Sequence, residues 1–328
     1  MCGHQMTPSQ PGHDDTTWRS RADEAWRSLA ANAFVVRRGR LAVREPGGRQ
    51  ALPLWPFSQV LHAAASVGAP ESSALLATVA SYRRGSAYAE SPRGKRRYYD
   101  DNAWIGLALI AHRNGGSAQR VLDFLREGCV EQTDGSLGVR WVEGGESLHA
   151  CSTGSTGLVA SRLSAVGAEA ERASLVELAR RCTVFLEGLL AADGLVADQR
   201  RPDGSVDPSV YTYNQGLLVG LLADLGRVAD AVALAARVQV AFDEERLWSH
   251  PPAFNAILVR ELLRLDSRRP EAGLRAWCSA YLTRVWTEAR DPVTGLFTNA
   301  GIGCYDSGVV LDHAALTGVM AELAHSST

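Results

Sequence analysis

The sequence predicts an all-α protein, six helical hairpins closed into an (α/α)6 barrel with an inner and an outer ring of helices. Three observations carry this reading. Apolar residues recur at three- and four-residue steps, as in Leu175, Leu178, Ala179, Cys182, Phe185 and Leu189, which is the spacing of one helix face. Successive helical segments alternate between charged and charge-poor. A loop marked by Gly, Asp or Glu and closed by a leucine repeats at Leu41, Leu137, Leu195, Leu247 and Leu296, spaced 96, 58, 52 and 49 residues apart. A unit of about fifty residues therefore fits six times, if the first gap holds two units.

Cutting at clusters of Gly, Pro and Asp places helices near 17–34, 54–67, 71–84, 99–113, 117–130, 149–166, 169–192, 211–225, 227–242, 252–265, 271–289 and 306–324. Residues 1–15 are expected to be a disordered N-terminal segment and 16–328 one domain. Odd helices such as 117–130 and 169–192 carry Arg and Glu at regular intervals and belong on the solvent side. Even helices are poor in charge after their first turn, as in Gln215-Gly216-Leu217-Leu218-Val219-Gly220-Leu221-Leu222, and belong inside. Odd-to-even connections are long and even-to-odd ones tight, so the long loops and the inner-helix N-termini share one rim. An open solenoid needs polar capping repeats. The last helix, from Val309 through Met320, is as apolar as the others, which favours closure.

Composition narrows the function. The 328 residues include 34 basic and 36 acidic ones, a net charge of -2. No large positive field for nucleic acid and no polybasic membrane anchor results. Lys95 is the one lysine, leaving almost no candidate for Schiff-base chemistry. Met1 to Asp15 lacks the apolar core of a signal peptide, and no stretch reaches transmembrane length, so a cytoplasmic location is expected. The six cysteines contain no C-x-x-C pair, signalling neither zinc nor a disulfide framework. No metal and no cofactor is expected.

Tyr98-Tyr99-Asp100-Asp101-Asn102-Ala103-Trp104 puts two adjacent carboxylates at the start of an inner helix. Paired carboxylates can divide the roles of base or nucleophile and acid, and Trp104 offers a ring on which a sugar or base can stack. Glycosidic cleavage is one reading. The other is a pair of helix N-terminal carboxylates favoured by the macrodipole. The same rim gathers His149, Ser152 and Thr153 from the third inner helix, Tyr211 to Gln215 from the fourth, Phe254 and Asn255 from the fifth, and Tyr305, Asp306 and Asp312 from the sixth. Trp141, Asp198 and Trp248 come from the long loops. Aromatic, amide and carboxylate groups in one cleft suit a neutral polyhydroxylated ligand. Asn214 and Gln215 equally fit helix-start capping. Cys151 and Cys304 lie near the rim with no paired base.

Tyr98 to Trp104, followed by Tyr211-Thr212-Tyr213-Asn214-Gln215-Gly216, resembles the two signatures of glycoside hydrolase family 76, the endo-acting α-1,6-mannanases. The likeness extends to Leu195-Val196-Ala197-Asp198, to Phe254-Asn255-Ala256-Ile257 with Arg260, and to Gly295-Leu296-Phe297 with Leu311-Asp312. It covers the chain from about residue 50 onward. The resemblance implies an (α/α)6 barrel and hydrolysis of α-mannosides with retention, Asp100 being nucleophile and Asp101 general acid/base. Retention calls for carboxyl groups about 5–5.5 Å apart. Substrate contacts are expected from Tyr99, Asn102, Trp104, Trp141, Asp198, Tyr213, Asn214, Gln215 and Asp306. Two stretches depart from the family pattern: Leu148 to Thr153, where an aromatic-Lys-Asn run is usual, and Asn299-Ala300-Gly301, where a tryptophan is common. A transglycosylase using the same intermediate and a non-catalytic glycan-binding barrel are the alternative functions.

Overall fold

Each inner helix begins where an extended residue meets a run of apolar ones. Tyr98, His149 and Tyr211 all have β-region backbone and cap the helices that follow them. The computed structural model describes residues 11–37, 39–167, 169–270, 273–298 and 308–325. Its helices are α1 (Pro11–Ala33), α2 (Leu54–Val67), α3 (Ser72–Val79), α4 (Tyr99–Ala111), α5 (Gly115–Glu127), α6 (Ala150–Val166) and α7 (Glu169–Glu187). They continue with α8 (Thr212–Asp224), α9 (Val228–Ala241), α10 (Glu244–Trp248), α11 (Pro252–Asp266), α12 (Leu274–Arg284) and α13 (Val309–His325).

Helices α2, α4, α6, α8, α11 and α13 form the inner ring. Each packs on its two neighbours, and α13 returns to α2. The barrel is closed. Helices α3, α5, α7, α9 and α12 each cover the inner helix that precedes them, while α1 covers α13. Inner helices are buried nearly all round; α6 is buried from Ala150 to Ser164. Glycines permit the closest approaches. A Cβ on Gly216 would stand 2.7 Å from Leu258 Cα, and one on Gly220 2.5 Å from Glu261 Oε2, so these positions let α8 press against α11.

Boundaries differ from expectation where turn chemistry intervenes. The first helix starts at Pro11, before the expected 17, so residues 11–15 are helical; residues 1–10 lie outside the described part. The expected helix 71–84 stops at Val79, continues as a 3-10 turn Ala80–Tyr82, and yields to a hairpin around Gly85 (φ 63°). The expected 169–192 ends at Glu187, and α12 passes into a π-helical turn, Val285–Ala289. Helix α10 lies in a connection read from sequence as a loop, its start capped by Asp243, which accepts from Arg246 N at 2.8 Å.

Short strands decorate the rim: β1 (Phe34–Arg37) with β2 (Arg40–Val43), β3 (Arg83–Arg84) with β4 (Ala87–Tyr88), and a five-stranded antiparallel sheet. The last comprises β5 (Cys129–Glu131), β6 (Leu137–Arg140), β7 (Leu148–His149), β8 (Gln199–Arg200) and β9 (Val206–Asp207) in sequence order. It joins loops of neighbouring hairpins, a pairing between units that no single segment's periodicity announces.

A repeated clamp ties these loops to the inner helices. Four residues past the cap, Asn102 accepts from Tyr88 N and donates to Tyr88 O, both at 2.9 Å. Gln215 accepts from Val196 N at 2.8 Å and donates to Val196 O at 2.9 Å. Thr153 accepts from Val139 N, and Asn255 donates to Leu247 O, each at 2.8 Å. In α13, His313 Nδ1 accepts from Phe297 N at 3.1 Å. All five side chains are fully buried, and each satisfies backbone groups that would otherwise be stranded.

Candidate active site

The starts of α2, α4, α6, α8 and α11 converge on a cavity of about 350 Å³. Its walls are largely aromatic. Tyr211 and Tyr213 stack with ring centroids 5.5 Å apart, Tyr213 meets the Phe254 edge at 4.3 Å, and Trp55 lies 5.7 Å from Phe254. Across the cavity, Trp141 packs between Tyr98 at 5.0 Å and His149 at 5.6 Å. Trp141 is 44% exposed, so its ring is available to a ligand. Among the described residues no lysine or arginine lines the cavity.

Asp100 and Asp101 sit in the first turn of α4, half-buried. Their surroundings are unequal. Asp100 Oδ2 accepts from Trp141 Nε1 at 3.0 Å and from Cys151 Sγ at 3.7 Å, while Oδ1 accepts from Asp101 N at 3.0 Å. Burial lifts the Asp100 carboxyl to about 6, and the three donors oppose that rise. Among the described residues the Asp101 carboxyl accepts no hydrogen bond. Burial, then the Asp100 charge, then Glu90 push it well above the usual carboxylate range. Both effects favour the protonated form. Of the pair, Asp101 has the surroundings that more strongly favour the protonated form.

Asp198 forms the third acidic wall. It accepts from Asn214 Nδ2 at 3.3 Å and Tyr213 OH at 3.5 Å, and burial raises its carboxyl. His149 is pushed down to about 4 by burial and is neutral at physiological pH. Burial also pushes the Cys151 thiol well up, with Asp100 adding to the effect, so it is a donor and not a thiolate.

Of the residues expected at the site, Asp100, Asp101, Trp104, Trp141, Asp198 and Tyr213 line the cavity. Asn214 lies just behind it, fully buried, with one hydrogen on Asp198. Tyr99, Asn102 and Gln215 point elsewhere. Tyr99 stacks on Phe124 at 4.7 Å behind α4, and the amides of Asn102 and Gln215 are committed to the loop clamps. Asp306 lies outside the described residues. Trp55 and Ile257 line the cavity without having been expected. Trp55 is the second residue of the first inner helix, and the rule that inner-helix starts converge would have found it. Among the described residues no group of three or more His, Cys, Asp or Glu is placed to hold a metal ion, and no helix is long and apolar enough to cross a membrane.

A closed double ring of helices, with a carboxylate pair in an aromatic cavity at the N-terminal rim, defines a helical-barrel glycoside hydrolase. Comparison with known proteins narrows this. Residues 57–239 match the family described as Glycosyl hydrolase family 76, and the chain belongs to that family. Among curated proteins none matches the sequence. Among solved structures, it is similar to a family 76 glycoside hydrolase from a bovine Bacteroides thetaiotaomicron strain, with 19% identity and a TM-score of 0.80 over 94% of this chain and 77% of that one. A family 76 mannosidase from Bacteroides thetaiotaomicron gives 20% identity and a TM-score of 0.77, over 94% and 98% of the two chains. An inactive variant of a Salegentibacter α-1,6-mannanase, with two consecutive aspartates replaced, is in complex with α-1,6-mannotetrose. It gives 18% identity and a TM-score of 0.72, over 94% and 98%.

Proposed function

We propose that this glycoside hydrolase cleaves α-mannosides, α-1,6-linked ones in particular, by double displacement with Asp100 as nucleophile and Asp101 as general acid/base. The observation that carries the reading is the unequal donor set. Asp100 is held by three donors and favours the ionised state of a nucleophile; Asp101 has none and keeps the proton a leaving group needs. In the first step an Asp100 oxygen bonds to the anomeric carbon while the Asp101 proton moves to the glycosidic oxygen and the C–O bond breaks. In the second, Asp101 takes a proton from water, whose oxygen bonds to the same carbon and releases Asp100. The aromatic walls stack sugar faces, and a cavity whose described lining holds no Lys or Arg suits a neutral glycan. The linkage is supported by the mannotetrose complex of the Salegentibacter relative.

Azide separates the roles. With an activated aryl α-mannoside, Asp101→Asn still glycosylates Asp100, and azide then releases the α-azide with retained configuration. Asp100→Asn forms no glycosyl-enzyme and gives at most the β-azide. An α-azide from Asp100→Asn would reverse the two assignments, and full activity in both variants would remove the pair from the mechanism.

A further inference from the structure

The five-stranded sheet has two faces, and the catalytic cavity uses only one. Trp141, immediately after β6, and His149 on β7 line that cavity. Their sequence neighbours Arg140 and Leu148 face the other way, because successive residues of a strand alternate. Arg140 pairs with Leu148 and Leu148 with Arg200. The three side chains therefore form one cross-strand row of guanidinium, isobutyl and guanidinium. This row borders a second cavity, of about 610 Å³, edged by Gln132, Glu146 and the Tyr99 ring.

Three arginines and one glutamate line this second cavity. Arg201 at its edge is matched by Asp207 at 2.7 Å. Arg200 donates to the Gln132 amide oxygen at 3.3 Å and lies 5.0 Å over the Phe185 ring, both neutral partners. Arg140, half-buried, makes no side-chain hydrogen bond or ion pair among the described residues. Among other half-buried arginines, Arg97 pairs with Glu143 and Arg290 with Glu24, while Arg84 donates only to backbone carbonyls. Glu146 is exposed. Two guanidinium groups thus share a concavity with no ion pair on either among the described residues, around an apolar floor; Asp134 lies within electrostatic range of Arg200, and Glu143 and Glu127 of the Tyr99 ring.

We infer that this face of the sheet binds a small organic oxyanion, a phosphate monoester or a carboxylate, between Arg140 and Arg200, with its carbon body over Leu148 and Tyr99. A planar guanidinium fork matches either oxyanion bidentately, and the cavity is of ligand size. The site is independent of the catalytic assignment.

Isothermal titration of the full chain with inorganic phosphate, mannose 6-phosphate and glucuronate, at an ionic strength fixed with sodium chloride, tests it. At least one of the three is expected to bind saturably, one per chain. Arg140→Gln and Arg200→Gln should each weaken binding at least about tenfold, while Arg264→Gln, an exposed arginine on the barrel's opposite end, leaves it unchanged. Binding of both phosphates but not glucuronate assigns the site to phosphate; the reverse assigns it to carboxylates. Melting curves of the variants verify the fold, and Arg140→Lys should recover part of the lost affinity. No binding of any probe up to about 10 mM, or binding that survives both substitutions, would overturn the proposal.

Discussion

Glu322 and Asp101 are both carboxylates on inner helices, at opposite ends of one barrel, and the barrel treats their protons differently. At the C-terminal end Arg260 donates to Glu322 at 3.1 Å, His62 at 3.2 Å and Ser66 at 3.0 Å. Burial alone would raise the Glu322 carboxyl, but Arg260 and then His62 bring it well below the usual range. Nearby, Arg162 reaches Glu261 at 2.5 Å and Asp224 at 3.5 Å, and Arg268 reaches Asp224 at 2.7 Å. Helix C-termini favour these cations. At the N-terminal end Asp100, Asp101 and Asp198 meet no cation among the described residues, and all three are raised. Burial with a counter-charge yields a structural ion; without one it yields a carboxyl held above the usual carboxylate range. The second condition costs stability and supports chemistry.

Beyond the loss of turnover expected for the carboxylate pair, the largest effect should come from breaking the paired end. Arg162→Met strands Glu261 and should cost about 3–5 kcal/mol of stability, read by urea denaturation, with turnover per folded molecule unchanged. A fall in turnover without unfolding would mean that the two ends are coupled. Gln215→Ala uncouples the clamp at Val196 and should cost about 1–3 kcal/mol. Activity should decline only in step with the folded fraction. If turnover collapses while the melting curve holds, Gln215 touches substrate after all.

At the unpaired end, Trp141→Phe keeps a stacking ring but removes the N–H that holds Asp100 ionised. The acidic limb of the pH–rate profile, expected near 6, should move upward by about one unit. Cys151→Ala removes the longer, weaker thiol donor and should shift the limb in the same direction by less. A downward shift in either variant would contradict the donor assignment. The smallest effect is on stability. A carboxyl raised in the folded state contributes stability below its unfolded value and loses it as pH rises, whereas Asn does not titrate. Asp101→Asn should therefore melt a few degrees above wild type at neutral pH, with the gap widening from pH 4 upward. A variant that melts below wild type would show that the carboxyl stabilises the fold.

The repeat and the inner-outer alternation were legible because both follow from residue type: charge marks the outer helices, Gly-Leu runs the inner ones. Legibility fell where direction matters more than composition. Tyr211 to Gln215 reads as one polar cluster, but two residues along a helix turn a side chain by about 200°. Tyr213 therefore enters the cavity while Gln215 turns to Val196. The same rotation separates Asp100 from Asn102. The sheet was invisible for a different reason, since two-residue strands such as Leu148–His149 have no period to detect and exist only because neighbouring loops meet.

One packing relation has a consequence for synthesis. The outer partner of α13 is α1, more than 270 residues earlier in the chain. Every other inner helix meets its cover within a few residues, so those five pairs can assemble as the polypeptide leaves the ribosome. The sixth cannot, and α2 and α11 keep an apolar flank open until the final helix emerges. Such a nascent chain is exposed to aggregation for nearly its whole translation. A circular permutant that joins α13 to α1 and opens another outer-inner loop would make the sixth pair local, and should refold faster at equal stability.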